Sequence, residues 1–90
     1  MNKNEFIDRV SDMAGINKAE ATRAVDAVFD AITEALRKGD DVRLVGFGTF
    51  SAARRKAREG RNPRTGETIQ IPASTQPKFS PGKGLKDALN

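Results

Sequence analysis

Apolar side chains recur at helical spacing over the first forty residues and then change to strand-like alternation. Phe6, Ile7, Val10 and Met13 fall on one face of a helix. Asn2 stands where an N-cap belongs, and Gly15 where the helix should stop. Asn17 followed by Glu20 is an Asn form of the capping box and opens a second, longer helix that Gly39 ends. Its apolar positions are Ala21, Ala24, Val25, Val28, Phe29, Ile32, Ala35 and Leu36. That stripe is wide for a helix covering one side of a small domain. It predicts a helix packed against its own domain and against a partner, which makes Phe29 a candidate dimer-core residue.

From Val42 the period shortens. Val42-Arg43-Leu44-Val45 predicts a short strand, Gly46-Phe47-Gly48 a tight turn, and Thr49-Phe50-Ser51-Ala52 the start of a second strand. Glu67-Thr68-Ile69-Gln70-Ile71 alternates as a returning strand does. Pro72 and Pro77 interrupt the path beyond it, so that path is expected to be irregular or an edge strand. Ser80 as a cap with Pro81 at the first helical position predicts a short final helix over 81–90. The fold class is therefore α+β: two N-terminal helices, a three-stranded antiparallel sheet with a long protruding β-hairpin arm, and a short C-terminal helix.

Between the second and third strands lies Arg54-Arg55-Lys56-Ala57-Arg58-Glu59-Gly60-Arg61-Asn62-Pro63-Arg64-Thr65-Gly66. Six cations surround an Asn-Pro step and a closing Thr-Gly, both of which are turn dipeptides. A segment so poor in apolar side chains does not fold onto a core; it presents a row of guanidinium groups to a polyanion. From Arg54 to Arg61 the extended chain spans about 26 Å at strand rise. That is several times the minor-groove width of about 6 Å, so two such arms could embrace a duplex.

Charge distribution sharpens this picture. Residues 1–41 carry six cations against nine acids, whereas residues 42–90 carry ten against Glu59, Glu67 and Asp87. The asymmetry points to a polyanion partner for the second half. Ninety residues are close to the lower limit for a self-sufficient core, and dimerisation is the usual remedy. With no cysteine and no histidine, disulfides, zinc fingers, thiol nucleophiles and imidazole bases are all excluded. The acids are scattered over helix surfaces and give no nucleophile–base pair, so no enzyme is expected. There is no signal-peptide run and no stretch long enough to span a membrane, so the protein is expected to be soluble and intracellular.

Each candidate has a plainer reading beside it. Pro63 has no backbone donor to satisfy and an apolar ring to offer as a wedge between base steps, or it is simply a turn former. Arginine suits bidentate phosphate contacts and narrow grooves, yet charge runs are often only solvated. Phe47, Phe50 and Phe79 could form a base-stacking platform, but an aromatic core is the stronger reading. Lys3, Lys18, Lys83 and Lys86 lie near predicted helix starts, where lysines and free amides together meet phosphates, or they are ordinary surface lysines.

Val45-Gly46-Phe47-Gly48-Thr49-Phe50, Gly60-Arg61-Asn62-Pro63-Arg64-Thr65-Gly66, Ile71-Pro72-Ala73-Ser74 and Pro81-Gly82-Lys83-Gly84-Leu85-Lys86-Asp87 together resemble the bacterial HU family of histone-like DNA-binding proteins. The likeness runs in register through the whole chain. It implies a single domain over 1–90 that forms an intertwined dimer. Residues 1–40 would form a helical dimerisation part and 41–90 a sheet saddle, with a DNA-binding arm over 54–73. The resemblance implies that Arg54, Arg55, Arg58, Arg61, Asn62 and Arg64 bind DNA and that Pro63 intercalates. Lys3, Lys83 and Lys86 would hold flanking phosphates, with Lys18 a looser match. Phe47, Phe50 and Phe79 would join Phe29 in the dimer core. The implied partner is double-stranded DNA in the bacterial nucleoid, bent and compacted through its minor groove, with no cofactor and no membrane. A preference for bent, nicked or gapped DNA, binding to RNA, and a heterodimer with a paralogue all stay open. Ala53, Glu59 and Ser80 depart from commoner family residues and lower the positive potential, which Arg54, Lys56 and Lys78 offset. The nearest alternative is a subunit like those of integration host factor, which share the fold but prefer particular sites.

Overall fold

The computed structural model describes residues 1–90. Its elements are α1 (Lys3–Ala14), α2 (Lys18–Arg37), β1 (Val42–Leu44), β2 (Gly48–Arg55), β3 (Arg58–Arg61), β4 (Thr68–Ile71), β5 (Ser74–Pro81) and α3 (Lys83–Leu89). The fold is α+β. The chain divides into two compact units, Met1–Ala35 and Leu36–Asn90. No helix is long and apolar enough to cross a membrane.

In the helical unit the cap signals act as the sequence predicts. Asn2 Oδ1 accepts from the Glu5 N–H at 2.9 Å, and Asn17 Oδ1 accepts from the Glu20 N–H at 2.8 Å. Each satisfies a donor that the first helical turn would otherwise leave open. Gly15 takes the left-handed conformation (φ 68°) and its N–H donates to the Ser11 carbonyl, closing α1. The core is small: Ile7, Ala21 and Val25 are buried, with Val10 and Ile16 packed against them. Ala21 is wholly excluded from solvent. The rest of the stripe is uncovered, since Phe6, Val28 and Phe29 are 42%, 54% and 45% exposed. With Val10, Ala24 and Val25 they line an apolar groove.

In the second unit β1, β2 and β5 form an antiparallel sheet in the order β1-β2-β5, and β3 and β4 form a separate two-stranded ladder. The pairs Gly48↔Pro81 and Arg55↔Ser74 at the ends of the first ladder, and Arg58↔Ile71 and Arg61↔Thr68 at the ends of the second, lie on one unbroken register. The arm is thus the far end of the same hairpin, interrupted only where Lys56-Ala57 faces Pro72-Ala73.

The proline positions explain that gap. Antiparallel ladders alternate hydrogen-bonded and non-hydrogen-bonded pairs. The Gly82 N–H donates to the Phe47 carbonyl at 2.8 Å, which marks Phe47 and every second residue after it as bonded positions of β2. Pro77 opposite Ala52 and Pro81 opposite Gly48 fall on the intervening pairs, where no N–H is needed. Pro72 falls opposite Ala57, a bonded position, and the ladder stops there. β5 is accordingly a regular eight-residue strand at the sheet edge. Edge placement was expected, whereas interruption at Pro77 was not found.

Two further boundaries differ from expectation. Ser80 is not a cap and Pro81 does not open a helix: pairing with Thr49 and Gly48 holds both in β5. Gly82 is the N-cap of α3, without a side-chain bond, and the helix runs Lys83–Leu89 rather than from residue 81. Cross-strand pairing here overrides a local helix-start signal. β1 ends at Leu44, because Val45 and Gly46 form a turn closed by Phe47 N–H to Leu44 O at 2.9 Å. Gly46 supplies the positive φ of 83° that this turn requires.

Candidate nucleic-acid interface

Side chains alternate across a strand, and residues in register share a face. Val42, Leu44, Phe50, Ala52, Pro77 and Phe79 therefore stand on one side of the three-stranded sheet. Phe79 packs against Phe50 and Phe47 with ring centroids 4.8 and 5.6 Å apart, both tilted. This places the three aromatics in one apolar cluster. The opposite side carries Arg43, Thr49, Ser51, Arg55, Gln76 and Lys78. Three cations and no acid occupy it.

In the arm, Arg58, Gly60, Ile69 and Ile71 share one face and Glu59, Arg61, Thr68 and Gln70 the other. A Cβ on Gly60 would come within 2.8 Å of Ile71 Cδ1 and 3.5 Å of Ile69 Cγ1. Glycine at this position lets both isoleucines fold across the strand. Where β2 and β5 give way to β3 and β4, Arg55, Lys56, Arg58, Ile71 and Pro72 border an open cleft.

The tip is a closed, hydrogen-bonded turn. The Asn62 N–H donates to the Glu67 carbonyl at 2.8 Å, and the Gly66 N–H donates to the Asn62 carbonyl at 2.8 Å. Asn62 Oδ1 accepts from the Arg64 N–H at 2.9 Å, an Asx turn drawn across Pro63. Thr65 Oγ1 accepts from the Glu67 N–H at 3.3 Å, and Gly66 takes the left-handed conformation at φ 74°. Pro63 and Arg64 stand exposed at the apex, while Asn62 is half-buried.

The predicted basic residues fall into four groups. Arg54 and Arg55 lie in β2, opposite Thr75 and Ser74. Arg58 and Arg61 lie in β3, with Arg64 at the tip. Lys83 opens α3 and Lys86 follows one turn on; the Gly82 N–H bond to Phe47, and close contact between Gly84 and the Gly46 carbonyl, fix that helix start to the β1–β2 turn. Lys3 and Lys18 belong to the helical unit and hold ion pairs there, Lys3 to Asp26 at 2.8 Å and Lys18 to Asp8 at 3.2 Å. Such exposed pairs contribute about 0–1 kcal/mol and leave both lysines easily redirected. Arg43 joins the basic sheet face although no sequence motif marks it. Its signal was the apolar–basic–apolar alternation of Val42-Arg43-Leu44. Lys78 reaches that face because Pro77 does not break β5.

The family described as bacterial DNA-binding protein matches residues 1–90. A protein named DNA-binding protein HU, from Geobacillus stearothermophilus, is 62% identical over 89 residues, covering 99% of either chain. The chain belongs to the bacterial HU family. Another member, DNA-binding protein HRm from Rhizobium meliloti (strain 1021), is 59% identical over 90 residues and the full length of both chains. Among solved structures, an HU–DNA cocrystal structure from Anabaena matches with a TM-score of 0.89 at 46% identity, covering 99% of this chain and 97% of that one. These HU relatives do not favour the integration host factor alternative.

Proposed function

We propose that the chain works as a homodimer that binds double-stranded DNA in the minor groove, with little sequence preference, and bends and compacts it as a histone-like nucleoid protein. One observation carries this reading: an exposed proline stands at the apex of a closed turn, on an arm whose cations have almost no acids among them. Arginines at Arg54, Arg55, Arg58, Arg61 and Arg64 take phosphates and the groove walls. Arg43 and Lys78 extend the same field across the sheet, and Lys3, Lys83 and Lys86 meet phosphates farther along a bent duplex. Phosphate contacts carry no sequence information in themselves, which accounts for the weak preference. The Pro63 ring wedges between base steps. Such wedges kink DNA by about 20–90° in minor-groove architectural proteins, a class that includes HU. The relatives named as DNA-binding proteins support the same reading.

Dimerisation follows from what a single chain leaves uncovered. Phe29, Phe47 and Phe79 are 45%, 47% and 39% exposed, and only Ile7, Ala21 and Val25 form a buried apolar core. A second copy covers these faces; in the dimer Phe29, Phe47, Phe50 and Phe79 are core residues, residues 1–40 serve dimerisation, and the arm spans 54–73.

The test is a titration of mixed-sequence duplex, intact or nicked, at low and moderate salt, with end-to-end fluorescence transfer reporting the bend. Binding should fall with salt at a log–log slope of about −0.9 per phosphate neutralised and should favour the nicked duplex, whose bending costs less. Pro63→Ala should lose most of the bend and of the preference for nicked DNA while keeping the dimer's thermal stability. An unchanged bend removes the wedge, and indifference to all duplex DNA removes the whole reading.

A further inference from the structure

Asn62 is the residue through which three of the tip's four hydrogen bonds pass. Its N–H and carbonyl bond Glu67 and Gly66, and its Oδ1 bonds the Arg64 N–H at 2.9 Å. The last bond matters most, because it spans Pro63. A residue that precedes proline is held to extended backbone, and proline fixes its own φ near the value a turn needs at its second position. These two restraints leave the rotation that follows Pro63 undetermined. The Asx bond determines it by tying the next amide back to Asn62. The residue is half-buried, and its side-chain oxygen already accepts the Arg64 N–H, which ties the carboxamide to the turn.

We propose that Asn62 is a positioning residue: its side-chain oxygen holds the apex so that the Pro63 ring points outward in a single orientation before DNA arrives. Preorganisation of this kind reduces the ordering cost of binding. The proposal rests on the wedge reading of Pro63, so the two are tested side by side. The full-length dimer is compared with Asn62→Ala, which has no acceptor, Asn62→Ser, which accepts more weakly, and Asn62→Asp, which accepts as well but adds charge. Two quantities are read for each: hydrogen exchange of the Arg64 amide in the free protein, and the bend of a nicked duplex at saturating protein, where lost affinity does not interfere.

The bend should follow Arg64 protection across the series. Asn62→Ala should also lower the preference for nicked over intact duplex by about 2–12-fold, the range expected for one lost hydrogen bond. A variant that keeps Arg64 protected yet bends no better than Asn62→Ala overturns the proposal and points to a direct DNA contact by the carboxamide. A variant that loses protection yet bends like the parent overturns it as well. Pro63→Ala separates the two readings. If it bends normally, the wedge fails; if it bends less while Asn62→Ala does not, the wedge stands and only the positioning role falls.

Discussion

Replacing Gly84 with alanine sets helix preference against packing. Alanine is favoured over glycine within a helix by up to about 1 kcal/mol, and it also restricts the unfolded chain. In this fold a Cβ at Gly84 would lie under 3.0 Å from the Gly46 carbonyl oxygen, and 3.2 and 3.3 Å from the carbonyl carbon and Cα of the same residue. All three are backbone atoms of a turn closed by the Phe47–Leu44 bond, so no rotamer change relieves the contact. Either α3 moves away or the turn opens. Overpacking costs about 1–3 kcal/mol, and rigid neighbours push it toward the upper end. Straining the 2.8 Å bond from Gly82 to Phe47 adds about 0.5–1.5 kcal/mol. After helix preference is subtracted, the net loss is about 1–3 kcal/mol, which lowers the melting midpoint of a domain this small by roughly 5–20 °C. Circular dichroism melts at matched protein concentration measure it, because a dimer's midpoint depends on concentration. A midpoint at or above the parent's would refute the packing argument and leave helix preference as the deciding force.

Phe79→Ala should cost about 3–5 kcal/mol if a partner encloses the aromatic cluster, and should make the melting midpoint depend more steeply on concentration. Normal stability with lost DNA binding would instead revive a base-stacking role for these rings. Arg43→Gln combined with Lys78→Gln should leave melting unchanged and reduce the salt slope by up to about 0.9 for each contact removed. An unaltered slope would take the sheet face out of the interface.

The local punctuation of the fold was legible because it depends on single residues. Asn2 and Asn17 cap helices, Gly15 and Gly39 end them, and Asn62, Thr65 and Gly66 shape the tip, each through bonds between near neighbours. The basic arm was legible for the same reason, since its cations are contiguous in the chain. β5 was harder to read. Three prolines in ten residues argue locally against a strand, and only their parity against β2 decides which ones the ladder tolerates. Ser80 and Pro81 made a sound helix start in isolation and were claimed by the sheet instead. Arg43 and Lys78 lie 35 positions apart and share a face only through the register of three strands.

Sequence by itself thus determined the order of elements, the charge asymmetry and the chemistry of the arm. Composition and nearest-neighbour hydrogen bonding suffice for those. Tertiary structure alone decided where β5 ends and α3 begins and which cations stand together on the sheet. Each of these depends on partners brought close by pairing between distant segments. Such pairing satisfies whole ladders of backbone groups at once, and that collective gain outweighs the preference of any one residue.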